Sequence, residues 1–257
     1  MGDCALQASA ALWRYATSVQ QGQGERLEAL LAAAGEHARG QALGNLHHAL
    51  AYEHAALALL RGRIGEAEAL VARAAQIGRE RRLDPTIVES IRLTQMMLVR
   101  GEQQRLGELR DEAAPLFGSA GVTMWQGALA VIDAAAGRLD GVAERIDAVL
   151  EDFERDGPTV ICHGGVIAYL TPTILRLEDR ARVCKVRDLI RPLSGQGAYF
   201  AGFAGPVDYH LALLERRLGN EAEAQRHLTA AVSFCERLGA PRWRARCQAA
   251  LAGPRYS

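Results

Sequence analysis

The chain has 257 residues, 49% of them hydrophobic, with 30 basic and 30 acidic side chains. That length buries a sizeable core as one large domain or two small ones, and a formal charge of zero sets up no global field to draw nucleic acid or an anionic membrane. No apolar run approaches the roughly 20 residues a membrane span needs, and the N-terminal residues lack the basic, apolar and small-residue zones of a signal peptide, so a cytoplasmic location is expected.

Taken in chain order, the elements read as helical hairpins. Residues 59–75 read LLRGRIGEAEALVARAA, and residues 214–232 read LERRLGNEAEAQRHLTAAV, nearly the same phrase. If the glycine in each marks a tight turn between two helices, Gly22, Gly62, Gly101, Gly137 and Gly219 occupy equivalent places, with Glu178 standing in between the last two. The intervals are then 40, 39, 36, 41 and 41 residues, the range of two-helix repeats. After the turns, apolar residues fall at helical spacing: Ala67, Val71, Ala74 and Ile77; Val142, Ile146, Val149 and Phe153; Ala224, Leu228, Ala231, Cys235 and Leu238. Each set draws one stripe that a neighbouring helix must cover. The third hairpin puts Arg110 where a large apolar residue belongs, with Leu109 beside it, and the fifth puts Arg187 there. No strand alternation accompanies these patterns.

Breaks fall where hairpins should separate: Asp84-Pro85, Asp156-Gly157-Pro158, Gly205-Pro206 and Gly239-Ala240-Pro241, each a turn followed by a proline suited to the first turn of a helix. The longest irregular piece is RPLSGQGAYFAGFAGP, residues 191–206. It is expected to pack against the helices, with Tyr199, Phe200 and Phe203 able to help form a ligand or partner site. Its GxG has no third glycine and no preceding strand, so it is not a dinucleotide fingerprint. The expected architecture is all-α, a right-handed α-solenoid of about six helical hairpins over residues 1–257 as a single domain.

Candidate chemistry is sparse. Lys185, the one lysine, follows no glycine-rich turn, which excludes a P-loop nucleotide site. Cys4, Cys162, Cys184, Cys235 and Cys247 are odd in number and form no CxxC pair, so free thiols are expected rather than a disulfide frame or a zinc site. His47, His48 and His54 share a helix, without the i, i+4 pair and assisting acid of a zinc motif. No metal or cofactor is expected. Cys162, His163 and His210 form an alternative pocket in which a small enzyme or metabolite-binding protein would use the groove between helices. Asp208 and His210 read as helix-surface groups, and Trp13, Trp125 and Trp243 as hairpin-packing aromatics.

The alanine-rich helices resemble tetratricopeptide repeats, with Ala67, Val71 and Ala74 in one hairpin and Ala224, Leu228 and Ala231 in another at the small–large–small positions. The C-terminal segment, with GPV and tyrosine at 205–209, the Leu218-Gly219 turn and LGAPRW at 238–243, resembles the closing repeats of large bacterial regulators of the MalT-like group. Those regulators join a signal-transduction ATPase to a LuxR-type DNA-binding domain or a nucleotide cyclase. The ATPase, cyclase and DNA-binding segments are missing here. The resemblance therefore implies a non-enzymatic regulatory module for a protein partner or small effector, with no direct nucleic-acid binding and no membrane. Transferring the concave-face positions of such repeats gives a groove of Tyr52, Ile91, Gln95, Met124, Val131, Tyr209 and Arg216. Large apolar residues at both ends, Leu12, Trp13 and Trp243, raise the expectation of a homodimer.

Overall fold

The computed structural model describes residues 2–40, 42–119, 123–156 and 163–253. Thirteen α-helices run through them: α1 (Gly2–Gln20), α2 (Leu27–Ala38), α3 (Gly44–Leu60), α4 (Ile64–Glu80), α5 (Pro85–Glu102), α6 (Arg110–Ser119), α7 (Thr123–Ala135), α8 (Val142–Asp156), α9 (His163–Arg176), α10 (Arg180–Ile190), α11 (Val207–Leu218), α12 (Glu221–Leu238) and α13 (Pro241–Leu251). Two short strands, β1 (Gly197–Tyr199) and β2 (Phe203–Pro206), interrupt them. None of the described helices is long and apolar enough to cross a membrane.

Consecutive helices pack on each other, α1 on α2, α3 on α4, α7 on α8, α11 on α12 and α12 on α13 most extensively. The stripes read from the sequence form the seams. Ala67, Val71 and Ala74 of α4, Val142, Ile146 and Phe153 of α8, and Ala224, Leu228, Ala231 and Leu238 of α12 are all buried. The turn residues at Gly22, Gly62, Gly137 and Gly219 take positive φ, and so does Glu178, whose φ of 55° shows a non-glycine held in the left-handed region where the spacing requires it. The third turn differs from expectation. Gly101 lies inside α5, and Gln104, at φ 59°, makes the reversal three residues later. The break at residues 157 and 158 lies outside the described residues.

Arginine at the two off-pattern positions has a physical reason. Arg110 Nε donates to Asp133 of α7 at 2.9 Å, and Arg145 of α8 donates to its other oxygen at 2.8 Å. Asp133 is 3% exposed, so a charged three-residue lock replaces an apolar contact between the third and fourth helix pairs. Arg187 of α10 hydrogen-bonds its neighbour Asp188 at 2.9 Å and lies 3.9 Å from Glu215 of α11, and Arg182 of α10 holds Asp147 of α8 with two hydrogen bonds.

The two ends of the chain meet. One hydrophobic cluster unites Tyr15 and Val19 of α1, Leu27 and Leu31 of α2 and Leu60 of α3 with Phe234, Cys235 and Leu238 of α12. The backbone at Gly24 approaches so closely that a Cβ there would stand 2.2 Å from the Leu238 carbonyl oxygen. Arg61, at the end of α3, fastens this junction. It donates to the carbonyls of Leu238 (2.6 Å), Gly239 (3.0 Å) and Gly24 (2.9 Å) and pairs with Glu28 of α2 through both carboxylate oxygens. Farther along, Glu102 at the end of α5 receives Arg242 and Arg246 of α13. The last helix thus crosses back over the second and third helix pairs.

Arg61→Ala leaves three part-buried carbonyls and a carboxylate without their cation, and should lower unfolding free energy by about 2–4 kcal/mol in urea titrations. Arg63→Ala, two residues on, removes only a pair with Glu66 that is half exposed on both sides, and should change stability by less than about 0.5 kcal/mol.

Candidate functional site

The segment 191–206 does more than cover the helices. Strands β1 and β2 pair antiparallel, Gly197 with Pro206 and Tyr199 with Phe203, and every residue in both strands is buried. The hairpin fills the space onto which the first helix of several pairs faces. Gln95 of α5 donates its amide to the carbonyls of Ala201 (2.8 Å) and Tyr52 (2.7 Å), so it binds the hairpin tip to α3. The Tyr199 hydroxyl donates to the buried carboxyl of Glu53. At the other end Asp208, at the start of α11, accepts from Gly195 N (2.7 Å) and Ser194 Oγ (2.8 Å) and lies 2.7 Å from His227 Nδ1. Asp208 and His210 are each 2% exposed. The expectation of helix-surface groups is therefore corrected: both face inward because the hairpin and α12 cover α11.

Two cavities remain on either side of the hairpin. The first, about 380 Å³, is lined by Trp13 of α1, Leu43 and Leu46, Tyr52 and Glu53 of α3, Ile91 of α5 and the hairpin residues Tyr199 to Ala201. Trp13 is 62% exposed at its edge, not packed within a hairpin as expected. The second, about 300 Å³, lies where α3, α5, α7, α9, α11, α13 and β2 converge. Its walls include Leu59, Leu98, Val131, Pro172 and Phe203, and its polar groups are Glu102, Tyr169, Tyr209, His210, Arg242 and Arg246.

Trp243 forms one side of this second cavity. It packs edge-on to Phe203 (5.9 Å) and Tyr209 (5.5 Å), and Arg246 lies over its ring at 4.3 Å. Bare backbone at Gly205 makes room for the indole. Its φ is 104°, and a Cβ there would fall 2.6 Å from the ring. His210 Nε2 lies 2.9 Å from the Ala204 carbonyl, which fixes the proton on that nitrogen and leaves Nδ1 as an acceptor. Nδ1 is buried with no hydrogen-bond partner. Burial pushes the imidazole pKa down to about 4, so the ring is neutral at physiological pH.

The groove positions read from the sequence are thus divided. Tyr52 and Ile91 line the first cavity, Val131 and Tyr209 the second, and Gln95 is spent on holding the hairpin between them. Met124 borders two small clefts near α9. Arg216 stands apart from all of these, paired with Glu221 and donating to the Ala250 carbonyl. Of the alternative pocket, His210 lies in the second cavity, His163 opens α9, and Cys162 is outside the described residues. Glu102, Tyr169, Arg242 and Arg246 were not read as site residues. They come from helix ends far apart in sequence and meet only because α13 folds back across α5. The buried carboxyl of Glu53 was likewise illegible, since an isolated glutamate in YEHAA reads as a solvated helix residue. Among the described residues no three metal-ligating side chains cluster.

Comparison with known proteins adds no family to this picture: no family model matches the chain, and no curated protein or solved structure is significantly similar to it.

The two inward-facing titratable groups push stability in opposite directions. Burial raises the Glu53 pKa from 4.5 to about 8, against a smaller opposing effect of the Tyr199 hydrogen bond. The folded protein therefore holds a proton that the unfolded chain releases, and stability falls as pH rises between those values, at up to about 1.4 kcal/mol per unit. For His210 the unfolded chain gains a proton near 6.5 and the folded one only near 4, so its contribution is lost as pH falls through that window. Urea titrations from pH 4 to 9 should show Glu53→Gln flattening the decline toward high pH and His210→Asn flattening the decline toward low pH. A wild-type slope retained in either variant would contradict the assignment.

Proposed function

We propose that the chain is a non-enzymatic regulatory module, a right-handed tetratricopeptide-like array of six helical hairpins closed by α13, and that it takes a small effector in its interior. The observation that supports an effector over an extended peptide or helix is the β1–β2 hairpin. It occupies the inner face that such arrays otherwise offer to a partner, and what remains is two cavities of about 300 and 380 Å³, the size of small-ligand sites. The resemblance of the C-terminal repeats to the closing units of MalT-like regulators points the same way, toward transcriptional or signalling control in a bacterial cytoplasm. An enzyme reading finds less support. Among the described residues, the cavity that holds Tyr209 and His210 is lined by no cysteine or serine to act as nucleophile.

A second reading, a protein partner or a second copy of the chain, draws on one feature. Leu6 and Trp13 lie seven residues apart on α1, 71% and 62% exposed, and Leu43 and Ile87 are also exposed.

Thermal denaturation in the presence of pooled small metabolites separates the readings. An effector at about 100 times its Kd should stabilise the fold by about 2.7 kcal/mol, enough to raise Tm by roughly 5–10 °C. Absence of any such shift, together with a specific protein complex abolished by Trp13→Ala and untouched by Trp243→Phe, would replace the effector reading with the partner reading.

A further inference from the structure

The second cavity carries enough chemistry to define what it binds. Its charged groups are two arginines against one carboxylate. Both oxygens of Glu102 are engaged, by Arg242 Nε at 2.8 Å and by Arg246 Nη2 at 2.9 Å, so a cationic ligand would have to displace an existing pair. An anion has no such obstacle. Arg242 and Arg246 keep side-chain exposures of 49% and 38%, against 10% for Glu102, and so present their remaining N–H groups toward solvent. His210, also lining the cavity, is 2% exposed, and its buried Nδ1 has no hydrogen-bond partner. Between these poles the walls are apolar and aromatic, with Leu59, Leu98, Val131, Phe203 and the Trp243 ring. A charge at one end, a donor at the other and apolar surface between describe a small amphipathic molecule.

We propose that the cavity framed by Glu102, His210, Arg242, Trp243 and Arg246 binds a small organic monocarboxylate with an apolar aryl or acyl body and a single hydroxyl or N–H donor. The carboxylate pairs with Arg242 and Arg246 and completes a two-against-two charge set with Glu102. The body lies against Trp243 and Phe203, and the donor reaches His210 Nδ1. This assignment rests on the effector reading and narrows it to one site and one ligand class.

The test is fluorescence and calorimetric titration of the full chain with 4-hydroxyphenylacetate, its primary amide and phenylacetate. 4-Hydroxyphenylacetate should bind at least about tenfold more tightly than its amide, as expected for loss of a charge-assisted pair. Arg242→Gln and Arg246→Gln should each erase that preference while leaving circular dichroism unchanged. His210→Phe should remove the advantage of 4-hydroxyphenylacetate over phenylacetate without abolishing binding of either, and Trp243→Phe should remove the fluorescence response while calorimetry still reports heat. Equal binding of acid and amide, or a preference that survives both arginine variants, overturns the ligand class. Should no carboxylate bind while a neutral molecule perturbs Trp243, the ligand class falls and the effector reading stands. If neither these probes nor the metabolite pools bind, the effector reading falls with it.

Discussion

Helices that pack in consecutive pairs still leave apolar inner residues that need cover. In this chain the cover is internal. A glycine-rich hairpin of seven strand residues is drawn in among α3, α5, α9 and α11, and its polar backbone is satisfied by a few dedicated groups: the Gln95 amide on Ala201, Asp208 on Gly195, and His210 on Ala204. Tyr199 supplies the anchor on the N-terminal side through Glu53, a carboxyl kept protonated near neutral pH by its burial. The rest of the architecture follows from having a plug at the centre.

Beyond the hairpin, helices from the two ends of the chain pack together. Arg61 reaches carbonyls from the first turn and from the turn before α13, and the apolar cluster it seals contains residues from both ends of the chain. Two departures from a simple repeat pattern lie between neighbouring helix pairs. Arg110 and Arg187 sit where large apolar residues belong, and each meets an acid on the following helix pair, Asp133 and Glu215. Charged locks of this kind fix register between neighbours more strictly than interchangeable alanine and leucine contacts do.

The cavity at the convergence of seven elements is a by-product of that closure with its own chemical character. Glu102 ends α5 and would face solvent in an open array. Once α13 folds over it, the carboxylate lies between two arginines, one of them stacked on Trp243, and His210, with its unpaired imidazole nitrogen, lines the same space. The result is an apolar interior with two arginines at its edge and one unpaired acceptor on a lining residue.

Much of the helical framework was legible in the residue pattern. Stripes such as Val142, Ile146 and Phe153 or Ala224, Leu228 and Ala231 report burial directly, because helix periodicity is local and survives without knowledge of the neighbours. The same is true of the turn at Glu178, placed by spacing alone although the residue is not glycine. The turn at Gln104 was misplaced onto Gly101, since glycine inside a helix looks like a turn when only composition is read. The β-hairpin escaped because its strands are short, fully buried and rich in glycine and alanine, and so show no alternation. The burial of Asp208, His210 and Glu53, and the meeting of Glu102 with Arg242, Trp243 and Arg246, were beyond any local pattern. Those groups are separated by up to 144 residues and are brought together only by the return of α13, a long-range packing event decided by which faces remained uncovered after every helix had found its neighbour.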